Sequence, residues 1–307
     1  MATALFTHAD GLNHVTPEGH PERVARLEHL LHALAGLDLK REAAPEATEA
    51  HLRLCHPQSY LDALREMAPE RGMRQVDGDT WMSPGTMSAA LRGAGAGVAA
   101  VDAVLEGRLT NAFCAMRPPG HHAEHATAMG FCLFGNASIA ARHALETHGL
   151  GRVAVVDFDV HHGNGTQDLL WNERRALFIG SHQMPLWPGT GSKEERGAHD
   201  NVLNLPLPPG SGTAEMRAAW GPALRRLRAF APDLLILSAG FDAHQDDPLA
   251  QLNWTVEDFR WITRSLCDLA NEVCGGRVVS CLEGGYDLDA LSDSGKAHVE
   301  ELLEAGK

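Results

Sequence analysis

The sequence predicts an α/β protein: a predominantly parallel sheet covered by helices on both faces. Two observations predict it. Short, continuously apolar runs alternate along the chain with amphipathic helical stretches, and the reactive polar residues fall directly after the apolar runs. Strands buried on both faces read as unbroken apolar runs, and such sheets bind ligands beyond the C-terminal ends of their strands.

The elements follow in chain order. A helix is predicted over 88–106, rich in Ala and Gly. Its Gly-Ala-Gly-Ala-Gly run (93–97) follows no strand, so it reads as close helix packing rather than a dinucleotide loop. A weaker strand at 111–115 and a helix at 132–147 come next. Val-Ala-Val-Val-Asp at 153–157 is the clearest strand, β-rich and set after a Gly-Arg turn. Strands at 177–180 and 201–205 precede a helix at 213–230. A strand at 234–238, a helix at 256–273, a strand at 277–281 and a helix at 287–304 complete the pattern. Thr-Val-Glu-Asp (255–258) has the capping-box form that opens a helix. No repeat or low-complexity linker divides the chain, so 1–307 reads as one catalytic domain.

Composition narrows the function. The chain has 307 residues, a formal charge of −14, 44% hydrophobic and 21% charged residues, which excludes wholesale disorder. The acidic balance argues against a dedicated nucleic-acid binder. The first residues lack a basic segment followed by a long apolar run, and the most apolar stretch, 93–105, is too short to span a bilayer. A cytoplasmic protein without a membrane segment is expected. The six cysteines form no C-x-x-C pair, which argues against zinc fingers and dithiol redox chemistry and for buried, reduced thiols. The 18 histidines are the feature that asks for an explanation, because imidazole is both the commonest metal ligand and an acid–base group.

The strand ends carry candidates. Asp157, Asp159 and His161 alternate at the end of the 153–157 strand and therefore line one side. Carboxylate and imidazole suit a borderline divalent ion, although a lone Asp–His pair is also common as a buried hydrogen-bonded pair. Asp242, after another strand, offers a third ligand. Two carboxylates and one imidazole would leave a position open for water, the mark of a catalytic metal site. His121 and His122 sit on the loop Arg-Pro-Pro-Gly-His-His. Asp157 and Asn164 can each accept from one of them, giving the two rings different basicities. Tyr286, in Glu-Gly-Gly-Tyr-Asp, can donate to an oxyanion; as a bare residue it is equally an ordinary half-buried tyrosine.

Six motifs together resemble the histone deacetylase superfamily, which includes bacterial acetylpolyamine amidohydrolases. They are Arg-Pro-Pro-Gly-His-His (117–122), Gly-Phe-Cys (130–132), Asp-Phe-Asp-Val-His-His-Gly-Asn-Gly-Thr-Gln (157–167), Pro-Gly-Thr-Gly (188–191), Gly-Phe-Asp-Ala-His (240–244) and Glu-Gly-Gly-Tyr (283–286). The resemblance extends from Gly-His-Pro-Glu-Arg (19–23) to the C-terminal helix, and Asn164 makes it class II-like. It implies a single-domain arginase/deacetylase fold and a zinc-dependent amidohydrolase that removes acetyl or other short acyl groups from acyl-lysine or a small acylated amine. By resemblance Asp159, His161 and Asp242 hold the ion, zinc or in its place Fe2+ or another divalent ion. His121 and His122 are the acid–base pair supported by Asp157 and Asn164, and Tyr286 polarises the acyl carbonyl. Phe131 and Trp187 wall the substrate channel. Asp157, Asp159, His161 and Ser181 surround a structural potassium ion.

Other readings differ in what they need. An acetylpolyamine-selective enzyme would carry Glu where this chain has Leu249, although Asp246, Asp247 or Glu124 can supply negative charge. A dimanganese ureohydrolase needs further bridging carboxylates, and an inactive acyl-lysine-binding module would have lost a ligand or the tyrosine. Arg23 is expected to reach the cavity below the metal. No nucleic-acid or membrane partner is expected; a homo-oligomer is left open.

Overall fold

The computed structural model describes residues 2–307. Its elements, in chain order, are β1 (Thr3–Thr7), α1 (Val24–Ala33), β2 (Lys40–Ala43), α2 (Glu49–Leu52), α3 (Gln58–Met67), β3 (Arg74–Gln75), β4 (Trp81–Met82), α4 (Thr86–Leu105), β5 (Asn111–Cys114), α5 (Asn136–Glu146), β6 (Val153–Asp157), α6 (Asn164–Leu170), β7 (Ala176–Gln183), β8 (Val202–Leu207), α7 (Thr213–Phe230), β9 (Leu234–Ala239), α8 (Val256–Cys274), β10 (Val278–Leu282) and α9 (Leu288–Ala305). Each strand and helix expected from 88 onward is present within a few residues of its expected ends. The largest shift is in α5, which starts four residues late because 132–135 forms the turn beside the histidine loop. Of the six expected strands, β7 outgrows its expectation most, running on to Gln183. The first 85 residues had yielded no element; they add two edge-side strands, three helices and a small two-stranded hairpin.

Among the described residues one eight-stranded sheet runs β2-β1-β5-β10-β9-β6-β7-β8, and all its pairings are parallel. The chain crosses by α5 from β5 to β6, three strand positions away, builds outward through β7 and β8, then returns to fill the two-strand gap with β9 and β10. The last strand thus lies between β5 and β9, with Cys281 opposite Cys114 on one side and Ser238 on the other.

Alternation along the strands feeds two cores. Leu5, Phe113, Val156, Ile179 and Leu237 point to the layer of α1, α7, α8 and α9. Ala4, Phe6, Ala112, Cys114, Val155 and Ile236 point to α4 and α5. The expected two-sided cover is borne out, and so is the buried state of all six thiols. In α8, the Asp258 carboxylate accepts from the Thr255 N–H and hydroxyl at 2.9 Å each, so the residues read as a capping box do organise that helix start.

One expectation needs correction. The apolar stretch is longer than 93–105: α4 is long and apolar enough, by length and composition, to cross a membrane. In this fold it is a core helix, with 67% of its most apolar stretch buried. Its glycines explain the packing. A Cβ at Gly97 would lie 3.2 Å from the Ala140 Cβ on α5, and one at Gly95 would fall against the backbone of 45–47.

Candidate active site and metal centre

Sheet order explains why distant motifs meet. The loops after β5, β10, β9 and β6 leave four neighbouring strands, so 117–122, 283–287, 240–247 and 157–164 abut at one rim. The structure brings His121, His122, Asp157, Asp159, His161, Asn164, Asp242 and Tyr286 to that rim.

Asp159, His161 and Asp242 converge there, buried, with one donor atom each within 4.8 Å of the others. His161 Nδ1 is 3.3 Å from Asp159 Oδ1 and 3.1 Å from Asp242 Oδ2. Donors about 2.0 Å from a shared tetrahedral ion lie roughly 3.3 Å apart, so the spacing fits a divalent cation. Each carboxylate is oriented through the backbone. Gly284 N–H donates to Asp159 Oδ2 at 2.8 Å, and Val160 N–H donates to Asp242 Oδ1 at 2.8 Å. A Cβ at Gly284 would fall against the Oδ2 atoms of both aspartates, which is why a glycine stands there. Burial, then the charge of Asp159, pushes Asp242 up to about 7. Burial pulls the His161 ring down, but its hydrogen bonds to Asp159 and Asp242 outweigh that and raise it to about 10. This is the balance of a strongly negative, desolvated site suited to a cation.

The histidine pair stands beside it, ring centroids 3.9 Å apart. His121 Nδ1 lies 2.9 Å from Asp157 Oδ2, and His122 Nδ1 lies 2.8 Å from Asn164 Oδ1. The two rings therefore differ in partner as expected. Burial opposes charge on His121, yet Asp159 and Asp157 outweigh it and hold the ring well above the usual imidazole range. Burial, together with the neighbouring His121 and His161, holds His122 well below that range.

A cavity of about 380 Å³ opens over these groups, lined by His122, His161, Tyr286, Phe131, Trp187 and Leu249 among others. Larger grooves of about 670 and 640 Å³ lie near the chain ends and beside Arg142, and neither contains this chemistry. Phe131 and Trp187 do form walls. The Phe131 ring stands edge-on to Tyr286 at 5.8 Å, and Trp187 edge-on to His122 at 4.7 Å. Phe131 holds a left-handed φ of 68°, and a Cβ at the preceding Gly130 would strike His122 and Trp187. A strained turn thus aims the phenyl ring. Burial raises the Tyr286 phenol well above 10, so it is present as a hydrogen-bond donor.

Ser181 sits one residue beyond Gly180, the register partner of Asp157 on β7, and its Oγ is buried with no partner among the described residues. An orphaned buried hydroxyl beside this loop is compatible with a cation held mostly by carbonyl oxygens.

Several functional positions escaped the sequence. Glu283 had no assigned role. Its carboxylate accepts from the N–H groups of Gly120 and His121, at 2.7 and 3.1 Å, and from the Ser238 hydroxyl at 2.9 Å, tying the histidine loop and the end of β9 to its own loop. Asp79 and His20 also line the cavity, His20 edge-on to Phe131 at 4.9 Å. Arg23 is corrected: it is exposed at the start of α1. The buried arginine one turn on, Arg26, packs instead against the tyrosine loop. It donates to the carbonyls of Gly285 and Glu283 at 2.6 Å each and lies 4.8 Å over the Tyr286 ring. Buried Glu22 pairs Arg26 with Arg117. Two carboxylates weighed as free negative charge are committed elsewhere. Glu124 accepts from the Asn164 amide at 2.8 Å, and Asp247 is buried beneath the tyrosine loop.

The comparisons agree with this geometry. Residues 20–302 match the histone deacetylase domain. Histone deacetylase 14, chloroplastic, from Arabidopsis thaliana is 42% identical over 229 residues, which is 71% of this chain and 53% of that protein. The chain therefore spans about half the length of the chloroplastic plant relatives it matches. A histone deacetylase-like amidohydrolase from Pseudomonas aeruginosa is 40% identical, covering 92% of this chain and 76% of its own length. The crystal structure of the HDA15 HD domain superposes with a TM-score of 0.93 at 34% identity, covering 99% of this chain and 88% of that one.

Proposed function

The chain belongs to the histone deacetylase family, and from that premise we propose that it is a zinc-dependent amidohydrolase that removes acetyl or short acyl groups from acyl-lysine side chains or small acylated amines. The observation that carries the reading is the convergence of three metal donors, a histidine pair with unlike partners and a tyrosine on one cavity walled by Phe131 and Trp187. The whole chain serves as one catalytic domain, since the eight strands share one sheet and the family match runs nearly end to end.

Asp159, His161 and Asp242 hold the zinc; the same donors accept Fe2+ or another divalent ion. Bound there, the ion supplies Lewis-acid polarisation of the acyl carbonyl and lowers the pKa of water. The remaining work belongs to the chain. His122 lines the cavity and His121 lies behind it. His122, bonded to a neutral amide, keeps a lone pair at Nε2 to take a proton from water, and later returns one to the departing amine. His121, bonded to Asp157, supplies positive charge that balances the developing oxyanion. Tyr286 donates to that oxyanion. The products are a carboxylate and a primary amine. Potassium near Asp157, Asp159, His161 and Ser181 would serve as a structural ion; the unpartnered Ser181 hydroxyl supports that reading.

Substrate choice follows from the rim. Leu249 lines the cavity where a polyamine-selective enzyme would need a carboxylate, and Asp79 is the one carboxylate among the lining residues. An acyl-lysine peptide is therefore favoured over an acetylpolyamine. Turnover of acetyl-lysine peptide, acetylputrescine, acetylspermidine and longer acyl-lysines should rank the peptides first and be blocked by a hydroxamate. Absence of hydrolysis with zinc bound would overturn the assignment in favour of a binding module. Asp242→Ala should lose the catalytic zinc equivalent by elemental analysis. A cytoplasmic location is part of the same reading.

A further inference from the structure

On the far side of the α4–α5 layer, away from the cavity, three side chains left unexplained by the catalytic chemistry meet at one point. Asp102 is on α4, His143 is on α5, and His148 is two residues past the end of α5. The Nε2 atoms of both histidines lie against the same carboxylate oxygen, Asp102 Oδ1, at 2.6 and 2.7 Å. The two rings stand edge-on at 5.3 Å. Two independent ion pairs would engage one carboxylate oxygen each; here both imidazoles converge on one atom. His143 is buried, whereas His148 and Asp102 reach the surface, at 22% and 35% side-chain exposure. The His143 Nδ1 is buried with no partner among the described residues. The His51 ring covers the other side, edge-on to His143 at 5.3 Å.

We propose that Asp102, His143 and His148 form a second divalent-metal site, for zinc, that clamps α4 to the C-terminal end of α5. The donor set, two neutral imidazoles and one carboxylate with water completing the tetrahedron, is that of a borderline ion and not of Mg2+ or Ca2+. The donors are closer together than the roughly 3.3 Å they would keep around a tetrahedral ion. Entry of zinc must spread them by about half an ångström, displacing the protons they now share. The half-buried position of His148, in the bend before exposed Gly149, gives that movement room. His51 is excluded as a ligand because its Nδ1 accepts the Thr48 N–H at 3.3 Å, which commits Nε2 to carrying the proton.

The test is a zinc count on the full chain, equilibrated with zinc at a buffered free concentration and measured by elemental analysis, with deacetylation followed in parallel. Wild type should bind two equivalents, and His148→Ala one, with its deacetylase turnover unchanged. Asp242→Ala should keep the peripheral equivalent and lose the catalytic one, so failure of either site is seen separately. Added zinc should raise the Tm of catalytically loaded wild type and not that of His148→Ala. Equal zinc content and equal Tm response in wild type and His148→Ala would overturn the proposal. Asp102→Asn should repeat the His148→Ala result; His148, at the surface, gives the variant that folds if Asp102→Asn does not.

Discussion

His121 and His122 are adjacent in sequence and chemically unlike, and the difference comes from one atom each. A carboxylate oxygen faces the first Nδ1 and an amide oxygen the second. Which ring each partner faces was not legible in the sequence, and Asn164 was legible only as a nearby amide. Asp157 was legible because alternation at its strand end could be counted. The metal donors were legible for the same reason. Glu283, Arg26 and Glu22 were not, because their roles depend on which loops abut, and a single strand's periodicity carries no information about its neighbours. At this scale the sharpest expectation concerns Tyr286. Tyr286→Phe removes one oxyanion donor and keeps the ring against Phe131. Steady-state kinetics should show kcat reduced about 10²–10³-fold with bound zinc unchanged. An unchanged kcat would remove the phenol from the chemistry.

The elements show how the site is held still. Asp247, in the loop after β9, accepts the N–H groups of Tyr286 and Asp287 at 2.7 and 3.3 Å through one oxygen, and that of Leu249 at 3.0 Å through the other. One buried carboxylate thus fixes both the tyrosine loop and a cavity rim. Asp247→Ala should lower kcat about 10–100-fold through misplacement of the phenol. Metal content should stay at the wild-type value, and loss of metal would show that Asp247 acts on the ligands instead. The α4 helix makes a separate, purely structural claim. A methyl at Gly95 meets backbone atoms of 45–47, which cannot move aside as a side-chain tip can. Gly95→Ala should cost about 1–3 kcal/mol, read as a lower Tm with kcat unaltered. The Gly-rich run was rightly read as packing. Among the elements of the first 85 residues, β2 is illegible in the sequence because it is an exposed edge strand with Lys-Arg-Glu-Ala in place of an apolar run.

Across the whole molecule, buried neutral histidines link stability to pH. His298, on the inner face of α9, is fully buried and bonded to the Thr263 and Ser280 hydroxyls at 2.7 and 2.8 Å, and burial brings it down to about 3. Burial likewise brings His56 down to about 4. Both are depressed below the value near 6.5 that they regain on unfolding, so the unfolded chain binds more protons once the pH drops under that value. Their stabilisation is intact above pH 6.5 and is lost as the pH falls toward 4, by about 1 kcal/mol for each histidine at pH 5.5. Urea unfolding from pH 7 to pH 5 should show this decline, and His298→Gln should flatten it. An equal slope in that variant would place the linkage elsewhere. The −14 charge adds an attraction for cationic amines that added salt should screen.

The position of β10 has a consequence for synthesis. The strands β2, β1 and β5 on one side and β9, β6, β7 and β8 on the other have no ladder between them except through it. A nascent chain emerging from the ribosome must therefore carry two half-sheets, each with an open apolar edge, until residue 282 is free to insert. During that interval the metal donors of β6 and β9 stand on one half, the histidine pair on the other, and the tyrosine on neither. The site comes into being in a single late event, and until then the two open strand edges are the kind of surface on which nascent chains aggregate.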